Sequence, residues 1–210
     1  MNSEKHLQDI IEIRRIMERS GRFLSLSGLS GILAGIFALT GSVAALIIVN
    51  NSLSPSIINW GTIKANETTG IKLIVVGMLV LFASLISGFV LTRKKAKRLG
   101  QNMWDSIAKK AAFNFSIPLI TGGLFCLIML NHGTIGMLSP ATLIFYGLAL
   151  VNAGKFMHEE ITYLGISEII LGLIALNFIG YGIYFWMMGF GLLHILYGII
   201  LYVKYDKVEH

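Results

Sequence analysis

The sequence predicts an all-α integral membrane bundle of six transmembrane helices, preceded by an amphipathic helix. Three observations predict it. Apolar residues fill 55% of the 210 positions and charged residues only 13%, against about 25% charged in ordinary soluble domains. The apolar residues fall in stretches of about 20, the length a helix needs to cross a hydrocarbon core of about 30 Å. The chain also ends in two such stretches, 161–180 and 182–203, joined at Tyr181.

In order, residues 1–22 repeat Leu7, Ile10, Ile11 and Met17 at helical spacing. Five basic and four acidic residues accompany this stripe. Such a balance suits an amphipathic helix at the membrane face or on a partner helix, and an ordinary solvated leader fits as well. No cleavable signal peptide is expected, so the first span would serve as its own signal. The transmembrane domain is expected over 23–205. Span 23–49 carries Gly31 and Gly35, spaced so that another backbone can approach. Pro55 and Trp60 lie in a polar connection before span 71–92. A basic interfacial segment, 93–110, follows, with Leu99, Met103, Ile107 and Ala111 at i+4 spacing. It reads either as a helix on the membrane surface or as a solvated basic loop.

Span 111–130 holds Pro118 near its start, where the ring kinks the helix or limits its first turn. The stretch 134–153 contains Ser139 and Pro140, a suitable N-cap and first-turn pair. It is either a full span or a short helix with an irregular entry. The segment SGILAGIFAL at 30–39 lines up with SEIILGLIAL at 167–176, and IPLITGGLFCL at 117–127 is a looser third match. Three tandem hairpins would leave such a repeat, and so would chance in low-complexity membrane sequence.

Fifteen of the seventeen basic residues fall on one side of a six-span layout that places both termini together; Lys64 and Lys72 fall on the other. By the positive-inside rule that side is cytoplasmic. Topology therefore accounts for the formal charge of +6, and no nucleic-acid partner is expected. The partners expected are the lipid bilayer and a second copy or a membrane partner protein. A single cysteine, Cys126, excludes an internal disulfide framework.

Polar groups inside apolar spans are the candidates for chemistry, because each is costly in lipid unless neutral, paired or wet. Glu168 and His194 lie thirteen residues either side of Tyr181. On antiparallel helices both then sit about 20 Å from the turn and share one depth. Asn152, near the cytoplasmic end of the fourth span, could join the same network. His158, Glu159 and Glu160 open the fifth span, where two acids complement the helix dipole. No metal-ligand, phosphate-loop or nucleophile motif is present. No cofactor or metal is expected, and an enzyme is the weaker reading.

The segments GLALVNAGK (147–155), YLGISEIILGL (163–173) and FWMMGFGLLHILYG (185–198) resemble a group of small, about six-span bacterial membrane proteins. Genes of that group often neighbour a winged-helix regulator, and the resemblance implies a regulated protein of the bacterial inner membrane. It implies no activity and no site. Three roles remain: a transporter or permeation protein using the Glu168/His194 pair, a non-catalytic sensor or partner subunit, and a membrane enzyme acting on lipid.

Cysteine labelling on a background lacking Cys126 checks the topology. Thr68→Cys should label from outside intact cells, and Ser3→Cys and Lys207→Cys should not.

Overall fold

The computed structural model describes residues 27–52, 67–100, 102–132 and 134–207. The expected N-terminal helix 1–22, Pro55, Trp60 and Lys64 lie outside the described residues. Every element described is helical: α1 (Gly28–Ser52), α2 (Glu67–Arg98), α3 (Ser106–Asn131), α4 (Leu138–Gly154) and α5 (Glu159–Ala175). A last arm, 182–206, combines α6 (Gly182–Trp186), a π-helical turn (Met187–Leu193), α7 (His194–Leu201) and a second π turn (Tyr202–Asp206).

Four stretches are long and apolar enough to cross a membrane: 28–51, 70–98, 106–131 and 159–206. The last is 48 residues long but is not one rod. A 3-10 turn, Leu176–Tyr181, interrupts it, and Phe178 there has non-helical angles (φ −127°, ψ 51°). Glu168 and His194 would lie about 39 Å apart along a straight helix. Their side chains approach within 3.4 Å, so the chain doubles back at this turn.

Several boundaries differ from those expected. α2 runs on to Arg98, and α3 already starts at Ser106, capped by Asp105, whose carboxylate accepts from the Ala108 N–H at 2.6 Å. The described residues of 93–110 are therefore two helix ends and a turn at Gly100 (φ 65°), not a separate surface helix. Pro118 sits inside α3, well past its first turn. Residues 134–153 take the shorter alternative: a 3-10 turn (Ile135–Met137) leads into the 17-residue α4. Ser139 is not its N-cap; that position is Met137, without a side-chain bond. The Ser139 hydroxyl instead donates to the Gly182 carbonyl at 2.5 Å, tying the start of α4 to the start of the last arm.

α1 packs on the last arm and on α2, while α4 packs on α5 and α3. The arm meets α4 and α5 and so joins the two groups. Large apolar side chains cover the outside; Leu79 is 64% exposed, Ile86 63% and Phe113 66%. An outer surface of that kind suits hydrocarbon rather than water.

Glycines set the inner contacts. Gly28 and Gly35 on α1 face Gly198 and Gly191 on the arm, while Gly147 on α4 faces Gly165 on α5. A methyl group at Gly35 would stand 2.6 Å from the Gly191 carbonyl oxygen, and one at Gly198 would stand 2.6 Å from the Ile32 nitrogen. Neither backbone atom can swing away. By contrast, among the described residues nothing lies within 4 Å of a methyl group at Gly123.

Gly198→Ala should therefore destabilise the protein by about 1–3 kcal/mol, the usual cost of overpacking. Gly123→Ala should leave stability unchanged or raise it by up to about 1 kcal/mol. Unfolding of the purified protein in detergent distinguishes the two outcomes.

Candidate functional site

A polar group lies where α4, α5 and the last arm meet. Glu168, on the inner face of α5, is 0% exposed, and among the described residues neither carboxyl oxygen has a hydrogen-bond partner. Gly189 makes room for it: a methyl group there would collide with Glu168 Oε2 and Leu143 Cδ2. Gly189 belongs to the π turn, an irregularity that recurs at functional sites in helical proteins.

His194 lies across from the acid, at ion-pair distance: Nδ1 is 3.4 Å from Glu168 Oε1. Its hydrogen bond goes elsewhere. Nδ1 is 3.1 Å from the Gly189 carbonyl oxygen, a group that only accepts, so Nδ1 carries the hydrogen of that bond. Nε2 lies 2.8 Å from the Tyr146 hydroxyl. A neutral imidazole with its hydrogen on Nδ1 accepts there from Tyr146, and an imidazolium donates to it. The His194–Tyr146 bond can thus persist with the imidazole neutral or protonated, while Glu168 lies beside it without a described hydrogen bond.

The surroundings are aromatic. The Phe190 ring stacks on His194 with centroids 5.8 Å apart, and Tyr146 packs on Phe190 at 5.0 Å. Phe115 on α3 meets Tyr146 edge-on at 5.9 Å. These rings leave the imidazole 6% exposed.

The structure brings Glu168 and His194 together but assigns Asn152 to another contact. Pro118 has no N–H, so the Asn114 carbonyl four residues earlier loses its helical donor. Asn152 Nδ2 donates to that oxygen at 2.9 Å. Its role is to mend α3 at the proline, apart from the acid and imidazole.

His158 caps α5 without a side-chain cap bond, and its ring stacks on Tyr205 at 3.8 Å. Glu159 is exposed in the first turn. Glu160 accepts from Lys204 Nζ at 2.6 Å and from the Tyr205 hydroxyl at 3.2 Å. Among the described residues no three His, Cys, Asp or Glu side chains gather so as to hold a metal ion.

Two features have no counterpart in the sequence reading. One is Tyr146, the third member of the central chain. The other is Asp206, 7% exposed, which accepts from Lys95 Nζ at 2.7 Å, the Gly28 N–H at 2.9 Å and the Ser27 hydroxyl at 3.2 Å. It caps α1 from the far end of the chain while neutralising a lysine of α2. A signal was present, since Asp206 is the only acid in 182–207.

Comparisons with protein-family models, curated proteins and solved structures find nothing that matches this chain.

The central pair should show energetic coupling. His194→Phe leaves Glu168 without its nearby imidazole and Tyr146 without its bond, and should cost about 2–4 kcal/mol. With Glu168→Gln added, the total should fall short of the sum of the single effects by more than about 0.5 kcal/mol. Strictly additive losses of stability in detergent would leave the two residues energetically unrelated.

Proposed function

We propose that the protein is a six-span membrane protein with cytoplasmic termini, and that its central Glu168–His194–Tyr146 chain takes up and releases a proton during permeation or transport. The observation that carries this reading is the Glu168 carboxyl: wholly enclosed, at ion-pair distance from an imidazole, yet without a hydrogen bond. A residue retained only to fix packing gains its stability from its bonds, and an enclosed carboxyl without them costs on the order of several kcal/mol. Proton exchange with His194 supplies a reason for the arrangement, because intramembrane acids and imidazoles form the relays of proton-linked carriers.

The six-span layout has support of its own. The turn at 176–181 divides the longest apolar stretch into two arms. α4, at 17 residues, reaches about 26 Å, and its 3-10 entry adds about 6 Å, together close to the hydrocarbon thickness. The ends at Arg98, Lys155 and Lys204 then share the basic side, as the distribution of charge requires. Glu168 is enclosed from both faces, so transport requires a further state in which one face reaches the acid, and the closed packing by itself favours the partner-subunit reading.

A second reading, a membrane partner subunit, is favoured by α2. None of its most apolar 18-residue window is buried by the described residues, among which α1 is its principal neighbour. The implied neighbourhood of a regulator gene fits either role. An enzyme acting on lipid has less support, since lipid would have to reach a carboxyl that the bundle encloses.

Reconstitution tests the proposal. Liposomes carrying the protein and an internal pH dye should respond to an imposed pH gradient, with a panel of ions and small solutes supplied to find the coupled species. Glu168→Gln should reduce the response to that of empty liposomes while the protein remains folded. An undiminished response in that variant would remove Glu168 from the path.

A further inference from the structure

The last turns of α2 divide their cations between two faces. Lys95 turns inward, 6% exposed, and pairs with Asp206 at 2.7 Å. Arg93, Lys94 and Lys97 are exposed and have no ion pair with any described acid. Arg93 and Lys97 are four residues apart, so they are neighbours on one ridge with Lys94 beside them. Like charges at that spacing repel, and nothing in the described part of the fold offsets the three of them. One turn nearer the middle of the helix stand Phe89, 53% exposed, and Val90, 42% exposed. These five residues line one shallow concavity. Beyond it the same helix continues as bare apolar surface through Ile86 and Leu79.

We propose that this face of α2 is a binding site for an anionic phospholipid. Arg93 presents a planar fork that matches two phosphate oxygens, and Lys94 and Lys97 add point charges around the same group. The first carbons of the acyl chains lie on Phe89 and Val90, and the rest follow the apolar ridge. A soluble polyanion would meet the cations but would find the apolar half of the site unused. A lipid matches both halves, because its charge and its hydrocarbon join at the depth where the cations of α2 give way to apolar residues. Juxtamembrane cations near an anionic leaflet strengthen binding by about fivefold each. The proposal rests on α2 crossing a membrane and is independent of any proton chemistry at Glu168. It also places a lipid contact one residue away from Lys95, the cation that holds Asp206 and through it the start of α1.

The test uses the full chain in micelles containing phosphatidylglycerol and phosphatidylcholine, with retained lipid counted by native mass spectrometry. The unmodified protein should retain phosphatidylglycerol by about tenfold or more over phosphatidylcholine. R93Q/K94Q/K97Q should lose that preference while unfolding at the same temperature. R93K/K94R/K97R, which keeps the charge, and Lys72→Gln, at the other end of α2, should both keep it. Equal retention of the two lipids, or a preference that survives the triple glutamine variant, overturns the proposal. Displacement of the retained lipid by soluble glycerol phosphate at comparable concentration also overturns it, since the site would then recognise a free phosphate. Leu79→Cys on a Cys126→Ser background tests the premise separately. Its thiol should resist aqueous maleimide in liposomes. Reaction there would overturn the membrane placement of α2 together with the lipid site, whereas an unreactive thiol with no lipid preference overturns the lipid site alone.

Discussion

Close approach of helix backbones is the constraint on which the rest of this structure depends. Between helices in hydrocarbon, an apolar side chain gains little by exchanging lipid for protein, so association rests on dense contact. The described bundle obtains that contact with glycines seven residues apart: Gly28 and Gly35, Gly147 and Gly154, Gly165 and Gly172, Gly191 and Gly198. Seven residues are nearly two helical turns, so each pair returns to almost one face. α1 thereby meets the arm, and α4 meets α5, with carbonyl oxygens where side chains would otherwise stand. Gly189 extends the arrangement in a different way, since the volume of its missing side chain holds the Glu168 carboxyl. The same economy of side chains that brings the helices together makes room for the acid.

Part of this arrangement was legible before any coordinates. Glu168 and His194 stand at equal distances from a turn, and helix geometry converts equal distance into equal depth. The small pair Gly31/Gly35 announced a close crossing, and Gly31 indeed faces Gly198. What depth does not determine is rotation about the helix axis. Asn152, expected near the cytoplasmic end of its span as a candidate member of that network, turns instead to the Asn114 carbonyl, which the position of Pro118 explains. Tyr146 was hidden for the opposite reason. Aromatic residues are common in and around membrane spans, and nothing local separates a tyrosine bonded to an imidazole from one that merely packs.

Charge was legible as a sum and not as pairs. The basic residues near the ends of α2 and the last arm predict an orientation, and for that purpose Lys95 and Lys97 are equivalent. In the fold they are not. Lys95 meets an acid 111 residues away at 2.7 Å, whereas Lys97 is exposed. The second π turn helps to explain the difference. It closes the arm with a changed register, from which Asp206 reaches Lys95 and α1 while Lys204 reaches Glu160 on α5. Two adjoining ion pairs thus fasten the same five-residue turn to opposite groups of helices, joining by charge at the end of the bundle what glycines join along its length.

The buried acids differ in a way that packing alone does not explain. Asp206 has a lysine, a backbone N–H and a hydroxyl. Glu160 has a lysine and a tyrosine. Each is fully accounted for as a structural tie, because its bonds offset its desolvation. Glu168, the most enclosed of the three, has an imidazole at ion-pair distance and no hydrogen bond among the described residues. The chain readily surrounds acids with donors near its basic end, and Ser167, beside Glu168, spends its own hydroxyl on the Tyr163 carbonyl. A fold that leaves its most enclosed carboxyl without a described hydrogen bond, beside an imidazole, has its stabilising ties elsewhere. That separation of tie from site is the reason to seek the protein's activity at Glu168 rather than at the better-bonded acids.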